Sequence, residues 1–201
     1  MGSPIVICPI FPYNELRLGD IMKVVAIVGM TGAGKSAVSG VFEENGFIRV
    51  RFGDVTDEEI KKRGLELNEK NERYIRELLR QEHGMSAYAR LNLPRIDEAS
   101  KHSDVVIDGL YSWEEYTLLK THYREDFYIV AVWASPGTRY TRLSRRLNRP
   151  LTVAEATSRD GAEIEHVNKG GPIAMADFTI TNESSLVDLK KEAKSIITRL
   201  R

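Results

Sequence analysis

Residues 29–36 read GMTGAGKS, which satisfies G-x-x-x-x-G-K-[ST], and no other stretch of the chain limits the fold as tightly. Directly before it stands KVVAIV (residues 23–28), a β-branched run of the kind a strand buried on both faces needs. Directly after it, residues 36–44 read as a helix closed by Gly46. In a strand–turn–helix setting, glycines let backbone N–H groups close around phosphate oxygens at the positive end of the helix. Gly29, Met30, Thr31, Gly32, Ala33 and Gly34 would form that cradle. Lys35 would reach the β- and γ-phosphates of ATP, and the Ser36 hydroxyl would ligate Mg²⁺. A random chain of this length shows the pattern in under about 1% of cases. A phosphate cradle is the expected reading.

The rest of the chain alternates in the same manner. Further strands are expected at 47–51, 104–107, 127–133 and 177–181, separated by helical stretches at 71–82, 86–102, 113–123, 138–167 and 184–200. Helix 71–82 would place Tyr74, Ile75, Leu78 and Leu79 on one face, and the last helix would turn Leu186, Leu189, Ala193, Ile196, Ile197 and Leu200 inward. The stretch 138–167 has a break near Pro150. Alternation of this kind predicts an α/β protein, a parallel sheet covered by helices on both faces.

Composition narrows the function classes. The 201 residues carry 29 Lys+Arg against 29 Asp+Glu, so nucleic acid is not held by charge alone. The lone Cys8 excludes an intramolecular disulfide framework and fits a reducing compartment. Residues 1–21, punctuated by Pro4, Pro9 and Pro12, read as an extension ahead of one domain at 22–201, with translation from Met22 as one account of them. Their uncharged run is too short to span a bilayer, and no basic residue precedes Arg17 to make a signal peptide. The expectation is a cytoplasmic, non-membrane protein.

Several residues outside the cradle invite a chemical role. Asp108 closes the hydrophobic strand of DVVIDG, and ligands in open α/β sheets bind beyond the carboxyl ends of the strands. A carboxylate there holds Mg²⁺ through water or takes a proton from an acceptor hydroxyl; alone, it would more often cap the next turn. Gly53 and Asp54 follow the second strand, where Asp54 either orients an acceptor or caps a helix starting near Thr56-Asp57. Residues 138–159 hold Arg139, Arg142, Arg145, Arg146, Arg149 and Arg159 against Glu155, a net +5. Guanidinium forks suit phosphoryl oxygens, which favours a phosphate-covering lid over a solvated basic face. No aromatic ladder interleaves these arginines, so a nucleic-acid platform is disfavoured. The four histidines lack metal-ligand spacing, Trp113 and Trp133 suit the core, and Asn168-Lys169-Gly170-Gly171 lacks the Asp of a guanine-reading N-K-x-D. A Ras-like GTPase is disfavoured.

From residue 22 on, the chain resembles the adenylate-kinase-like P-loop kinases, and most of all an archaeal adenylate-kinase-related family that is also close to dephospho-coenzyme A kinases. The resemblance rests on GMTGAGKS, FGDVTDEEIKKRG, VVIDG, ASPGTRYTRLSRR and ADFTITNESSLVDL, in that order. It implies a three-layer sandwich around a five-stranded parallel sheet of order 2-3-1-4-5. It further implies a helical acceptor-binding insert at 54–103, Gly53, Asp54 and Gly109 beside the acceptor, and a lid at 138–167 whose Arg142 and Arg146 meet ATP or the transferring group. Two arginines that adenylate kinases use on the acceptor phosphate are replaced here, one by Asp57 and one within Tyr111-Ser112. Arg51, Arg63 or Arg90 are the candidates to substitute. The expected activity is ATP-dependent phosphorylation of a nucleoside monophosphate-like acceptor; the alternatives are dephospho-coenzyme A as acceptor, or a nucleotide-binding ATPase or sensor acting through a protein partner. Neither the acceptor nor the oligomeric state is fixed by these motifs.

Overall fold

The computed structural model describes residues 22–147 and 150–201; the proposed extension 1–21, with Cys8, and Arg149 lie outside the described residues. In chain order the elements are β1 (Val24–Val28), α1 (Lys35–Glu44), β2 (Ile48–Arg51), α2 (Asp54–Lys62), α3 (Glu69–His83), α4 (Ala87–Ala99), β3 (Val105–Asp108) and α5 (Trp113–Tyr123). After a short 3-10 turn (Arg124–Asp126) come β4 (Phe127–Trp133), α6 (Pro136–Ser144), α7 (Val153–Glu165), α8 (Gly170–Ala174), β5 (Phe178–Thr181) and α9 (Leu186–Leu200). All strand pairs are parallel, in the order β2-β3-β1-β4-β5. The implied five-stranded sheet is therefore the observed one.

The run that announced β1 is explained by its surroundings. Val24, Ala26 and Val28 face a core formed with Ile60 of α2, Ile75 and Leu79 of α3, Tyr88 and Ile96 of α4, and Leu119 of α5. Val25 and Ile27 face the opposite core, with Val38, Val41 and Phe42 of α1 and Leu189, Ala193 and Ile196 of α9. A strand with helices on both sides has no polar face to alternate with. Each fully buried aliphatic or aromatic side chain of this kind contributes roughly 1.5–3 kcal/mol relative to exposure.

Some local expectations are corrected. On α3, Ile75 and Leu79 are buried, but Tyr74 is half exposed, because α3 covers the sheet edge and turns a narrower apolar stripe inward. Leu186 is likewise exposed at the first turn of α9, ahead of the point where that helix meets α1. Trp113 and Trp133 stand at element ends and are largely exposed, not core residues. The helix after β2 begins at Asp54, earlier than expected, with Gly53 as its N-cap. The stretch 138–167 is two helices separated at residues 145–152, and Thr152 starts the second with a reciprocal capping box to Glu155. Among the described residues, no helix is long and apolar enough to cross a membrane.

Candidate functional site

β1 lies between β3 and β4, so its carboxyl end opens at the point where the order of strands reverses. That crevice is where open α/β sheets bind ligands, and residues 29–36 fill it. Gly29 has φ +140°, and a Cβ there would run into the carbonyl of Val132 on β4. Gly34, at φ +108°, is the N-cap of α1 and touches Asn182 where a side chain would stand. A left-handed turn pressed against a strand carbonyl at one end and a bonded side-chain amide at the other accepts no larger residue.

The loop is braced from outside by residues far away in sequence. Arg139 donates from Nη1 to the Thr31 carbonyl at 3.1 Å, and Asn182 donates from Nδ2 to the Ala33 carbonyl at 2.8 Å. Because N–H and C=O point in opposite directions across a trans peptide, fixing these carbonyls outward aims the N–H groups of Gly32 and Gly34 the other way. The Thr31 hydroxyl donates to Glu163 of α7. Arg139 is buried and holds Asp160 with two bonds, of 2.9 and 2.6 Å. This arginine of the basic segment is thus a brace. The acids Asp160, Glu163 and Glu165, just past the segment, bring residues 138–165 down to a net +2.

Lys35 opens α1, and its ammonium donates back to the carbonyls of Gly29 and Met30 at 2.9 and 3.1 Å. Burial and the nearby Lys169 push its pKa down to about 7, against the pull of Glu163 and Asp108. Lys169 is itself buried, donates to Glu163 Oε2 at 2.7 Å, and sits 5.0 Å from the Tyr111 ring centroid. Burial outweighs that partner and holds Lys169 below the ordinary lysine range. Burial would raise Glu163, but Lys169, Thr31 and Lys35 hold it down to about 2. Lys169 and Glu163 are site residues that motif reading missed; the tetrapeptide around Lys169 attracts attention only as a failed guanine motif.

Asp108 ends β3 beside the cradle and is buried. Its Oδ2 is ion-paired with Arg49 of β2, an arginine not anticipated from sequence. Gly109 follows, and then Tyr111, whose hydroxyl burial and Asp108 push up to about 12. Glu115 Oε2 accepts from the N–H groups of Tyr111 and Ser112 at 2.8 and 3.2 Å, which fixes this turn. Full burial pushes Glu115 up to about 7. Ser36 lies in the first turn of α1 and is exposed. Among the described residues, no cluster of three or more His, Cys, Asp or Glu side chains could hold a metal by itself.

The acceptor-side candidates fare differently. Asp54 does not cap α2; it lies within the first turn and pairs with Arg51 at 3.0 Å, as does Asp57 at 3.1 Å. A Cβ on Gly53 would come within 3.3 Å of the Arg51 guanidinium, so this glycine makes room for the arginine that pairs with Asp54 and Asp57. The three substitute arginines are also engaged locally, Arg51 with those acids, Arg63 with Glu59 at 2.7 Å, and Arg90 with the Ser86 hydroxyl at 2.9 Å. A cavity of about 810 Å³ lies elsewhere, between α3 and α7 with Tyr111 in its lining. Its arginines are Arg73, Arg76 and Arg80 of α3 and Arg159 of α7. The signal was available: residues 73, 76 and 80 share one helical face, but the nearby glutamates make it look like an ordinary solvated surface.

Of the expected lid arginines, Arg142 donates from Nη2 to the carbonyl and side chain of Asn182 at 3.0 and 3.3 Å. Its Nη1 is buried with no hydrogen-bond partner. Because Asn182 also braces Ala33, Arg142 lies one residue removed from the cradle. Arg146 follows α6, and burial and Arg159 hold its pKa below the usual arginine value. Arg145 is exposed.

Comparison with known proteins agrees with this architecture. Residues 25–163 match the AAA domain family. The UPF0200 protein of Thermococcus kodakarensis is 36% identical over 181 residues, covering 88% of this chain and 97% of its own. Among solved structures, a gluconokinase from Sinorhizobium meliloti superposes with a TM-score of 0.55 at 14% identity, covering 90% of this chain and 94% of its own. The dephospho-CoA kinase from Campylobacter jejuni gives 0.53 at 12% identity, covering 90% and 98%. At such identities the structural likeness establishes a P-loop kinase-like fold. The chain belongs to the UPF0200 family of archaeal proteins and carries an AAA domain of the P-loop kinase-like fold.

Proposed function

We propose that the protein is an ATP-dependent P-loop phosphotransferase acting on a small, nucleotide-like acceptor. The observation that carries this reading is the cradle at 29–36, its carbonyls braced outward and the Lys35 ammonium folded back over it at the start of α1. The ammonium rests on two carbonyls. A triphosphate would replace them with charged oxygens, a stronger partner for a buried cation.

In this reading Lys35 and the loop amides hold the β- and γ-phosphates of ATP. The residues fit a phosphate-borne Mg²⁺, which usually keeps several waters and needs few protein ligands. Ser36 would bind it directly and Asp108 through water, with Arg49 keeping that carboxylate in place. When bound, the ion neutralises phosphate charge during transfer. Transfer breaks the bond from the γ-phosphorus to the bridging oxygen and joins that phosphorus to an acceptor oxygen. A hydroxyl acceptor would lose its proton to Asp108. Arg142 and Arg146 would stabilise charge spreading over the moving group, so catalysis rests on positioning and electrostatics. Residues 138–167 would serve as lid and 54–103 as acceptor insert, excluding water on closure.

The test is acceptor-dependent turnover. ATP consumption should be slow alone and accelerate sharply with one compound from a panel of nucleoside monophosphates, dephospho-coenzyme A and small polyols. Equal rates across the whole panel would instead favour a nucleotide sensor with a protein partner.

A further inference from the structure

The cavity between α3 and α7 has features that the cradle does not explain. Its volume of about 810 Å³ falls in the range of small-molecule sites, roughly 300–1,000 Å³. One wall is cationic, with Arg73, Arg76 and Arg80 on α3. The opposite wall exposes Ala154, Ser158 and Ala162, spaced four apart along α7, whose short side chains leave the room. Arg159 stands beside them, and Tyr111 joins the lining next to the residues of the cradle.

These arginines differ in how they are neutralised: Arg76 is paired with Glu72 at 3.4 Å, whereas Arg80 keeps an open donor. Arg80 Nε is buried with no hydrogen-bond partner, and its guanidinium packs 5.4 Å from the Tyr88 ring centroid. Arg73 has Glu77 at a long 3.7 Å. Two of the lining carboxylates are committed elsewhere, Glu155 to the α7 cap and Glu163 to Lys169 and Thr31. Arg159 reaches Glu163 at 3.3 Å, and its proximity also disfavours the charged form of Arg146. A buried guanidinium nitrogen without an acceptor is costly, and a multivalent anion supplies the missing oxygen.

We infer that this cavity binds the acceptor of the proposed transfer through a phosphate group on the acceptor, held by Arg80 and Arg159 with Arg76 alongside, its body lying on Tyr111 and the small-residue face of α7. This assigns the acceptor grip to α3, in place of the two absent arginines and of Arg51, Arg63 and Arg90. It rests on the kinase reading for what the bound molecule is used for, but not for the binding itself.

The test measures binding by calorimetry, with and without a saturating non-hydrolysable ATP analogue. The probes are the common nucleoside monophosphates and dephospho-coenzyme A, against adenosine and pantetheine as phosphate-free counterparts. At least one phosphate-bearing probe should bind, with its counterpart weaker by about 100-fold or more. Arg80→Gln should weaken that probe by about 30-fold, Arg159→Ala by about 10-fold, and Arg80→Lys should recover part of the loss. Affinity for the ATP analogue should stay unchanged in all three, which also reports that the variants are folded. The inference is overturned if no phosphate-bearing probe binds, if phosphate and phosphate-free probes bind alike, or if Arg80→Gln leaves the bound probe unaffected. It is equally overturned if Arg80→Gln weakens the ATP analogue instead, since the donor would then occupy the cavity. Failure of the wild type to bind the ATP analogue sinks the kinase reading, while probe binding without the analogue still decides the cavity.

Discussion

The cradle and the cavity meet at Glu163, which bonds Thr31 of the loop and lines the cavity, but they are built on different principles. Around the cradle, the groups that shape the loop are held by the protein: Arg139 has Asp160, Lys169 has Glu163, and Lys35 has two loop carbonyls. The open buried nitrogens on this side, Arg49 Nε and Arg142 Nη1, belong to side chains bonded to Asp108 and Asn182 and not to the loop. Around the cavity, Arg80 keeps an unpartnered buried nitrogen, and the Arg73–Glu77 pair is long and exposed. A loop whose shape must be exact before its ligand arrives has to be held by the protein itself. A pocket that takes its counter-charge from the ligand can leave some of its charge unsatisfied. The contrast says that the cradle is preorganised, whereas the cavity is completed by what it binds.

Three perturbations press on that comparison. The largest effect should come from Lys35→Ala, which removes the ammonium that the cradle would turn toward phosphate. Acceptor-dependent turnover should fall by roughly 10²–10³-fold or more, with unchanged circular dichroism and no loss of thermal midpoint, since a buried ammonium is removed. A wild-type rate in steady-state kinetics would refute the role assigned to this residue.

Next comes the brace. Glu163→Gln leaves Lys169 buried without a counter-charge and loosens Thr31, and should cost about 3 kcal/mol of stability. For a chain of this size that is about 6–12 °C in thermal midpoint. Adding Lys169→Met should restore most of it, because both charges are then gone. Glu163 sits at about 2 in the folded protein, below its unfolded value. Its contribution is therefore present above about pH 4.5 and lost as pH falls toward 2. The acid limb of the midpoint-versus-pH curve should flatten in the single variant. An unchanged midpoint in Glu163→Gln would mean that the cradle does not depend on its brace.

The smallest effect is protonic. In the free protein Lys35 titrates at about 7, and a bound polyphosphate raises that value. Above pH 7 binding must therefore take up a proton, so affinity for an ATP analogue should fall by up to about tenfold per pH unit between 7 and 9. Calorimetry across that range reads it directly, and Lys35→Met should abolish the slope. Binding to the cavity arginines should show no such decline, apart from the titration of the ligand's own phosphate.

How far the molecule was legible from its residues follows from the same contrast. The sheet was readable because β1 and β4 are continuous apolar runs, and a parallel strand with helices on both faces can be little else. The cradle was readable because its glycines and Lys35 are contiguous. The role of Asp54 was not readable, because an aspartate after a strand is chemically ambiguous until its neighbours are known, and here Arg51 is that neighbour. Within the basic segment the partner of Arg139 was not readable: the net +5 stops one residue short of Asp160, which takes that arginine.

The sequence by itself determined the fold class, the order of elements and the phosphate loop, because each depends on local spacing or on runs of adjacent residues. The tertiary structure alone decided which charges neutralise one another. Thr31 meets Glu163 across 132 residues, Arg139 meets Thr31 across 108, and Asn182 meets Ala33 across 149. Likewise the arginines of α3 confront α7 only in the folded chain, where the two helices line one cavity. Coulombic and hydrogen-bond energies depend on separations of a few ångströms, and separation along the chain says nothing about them.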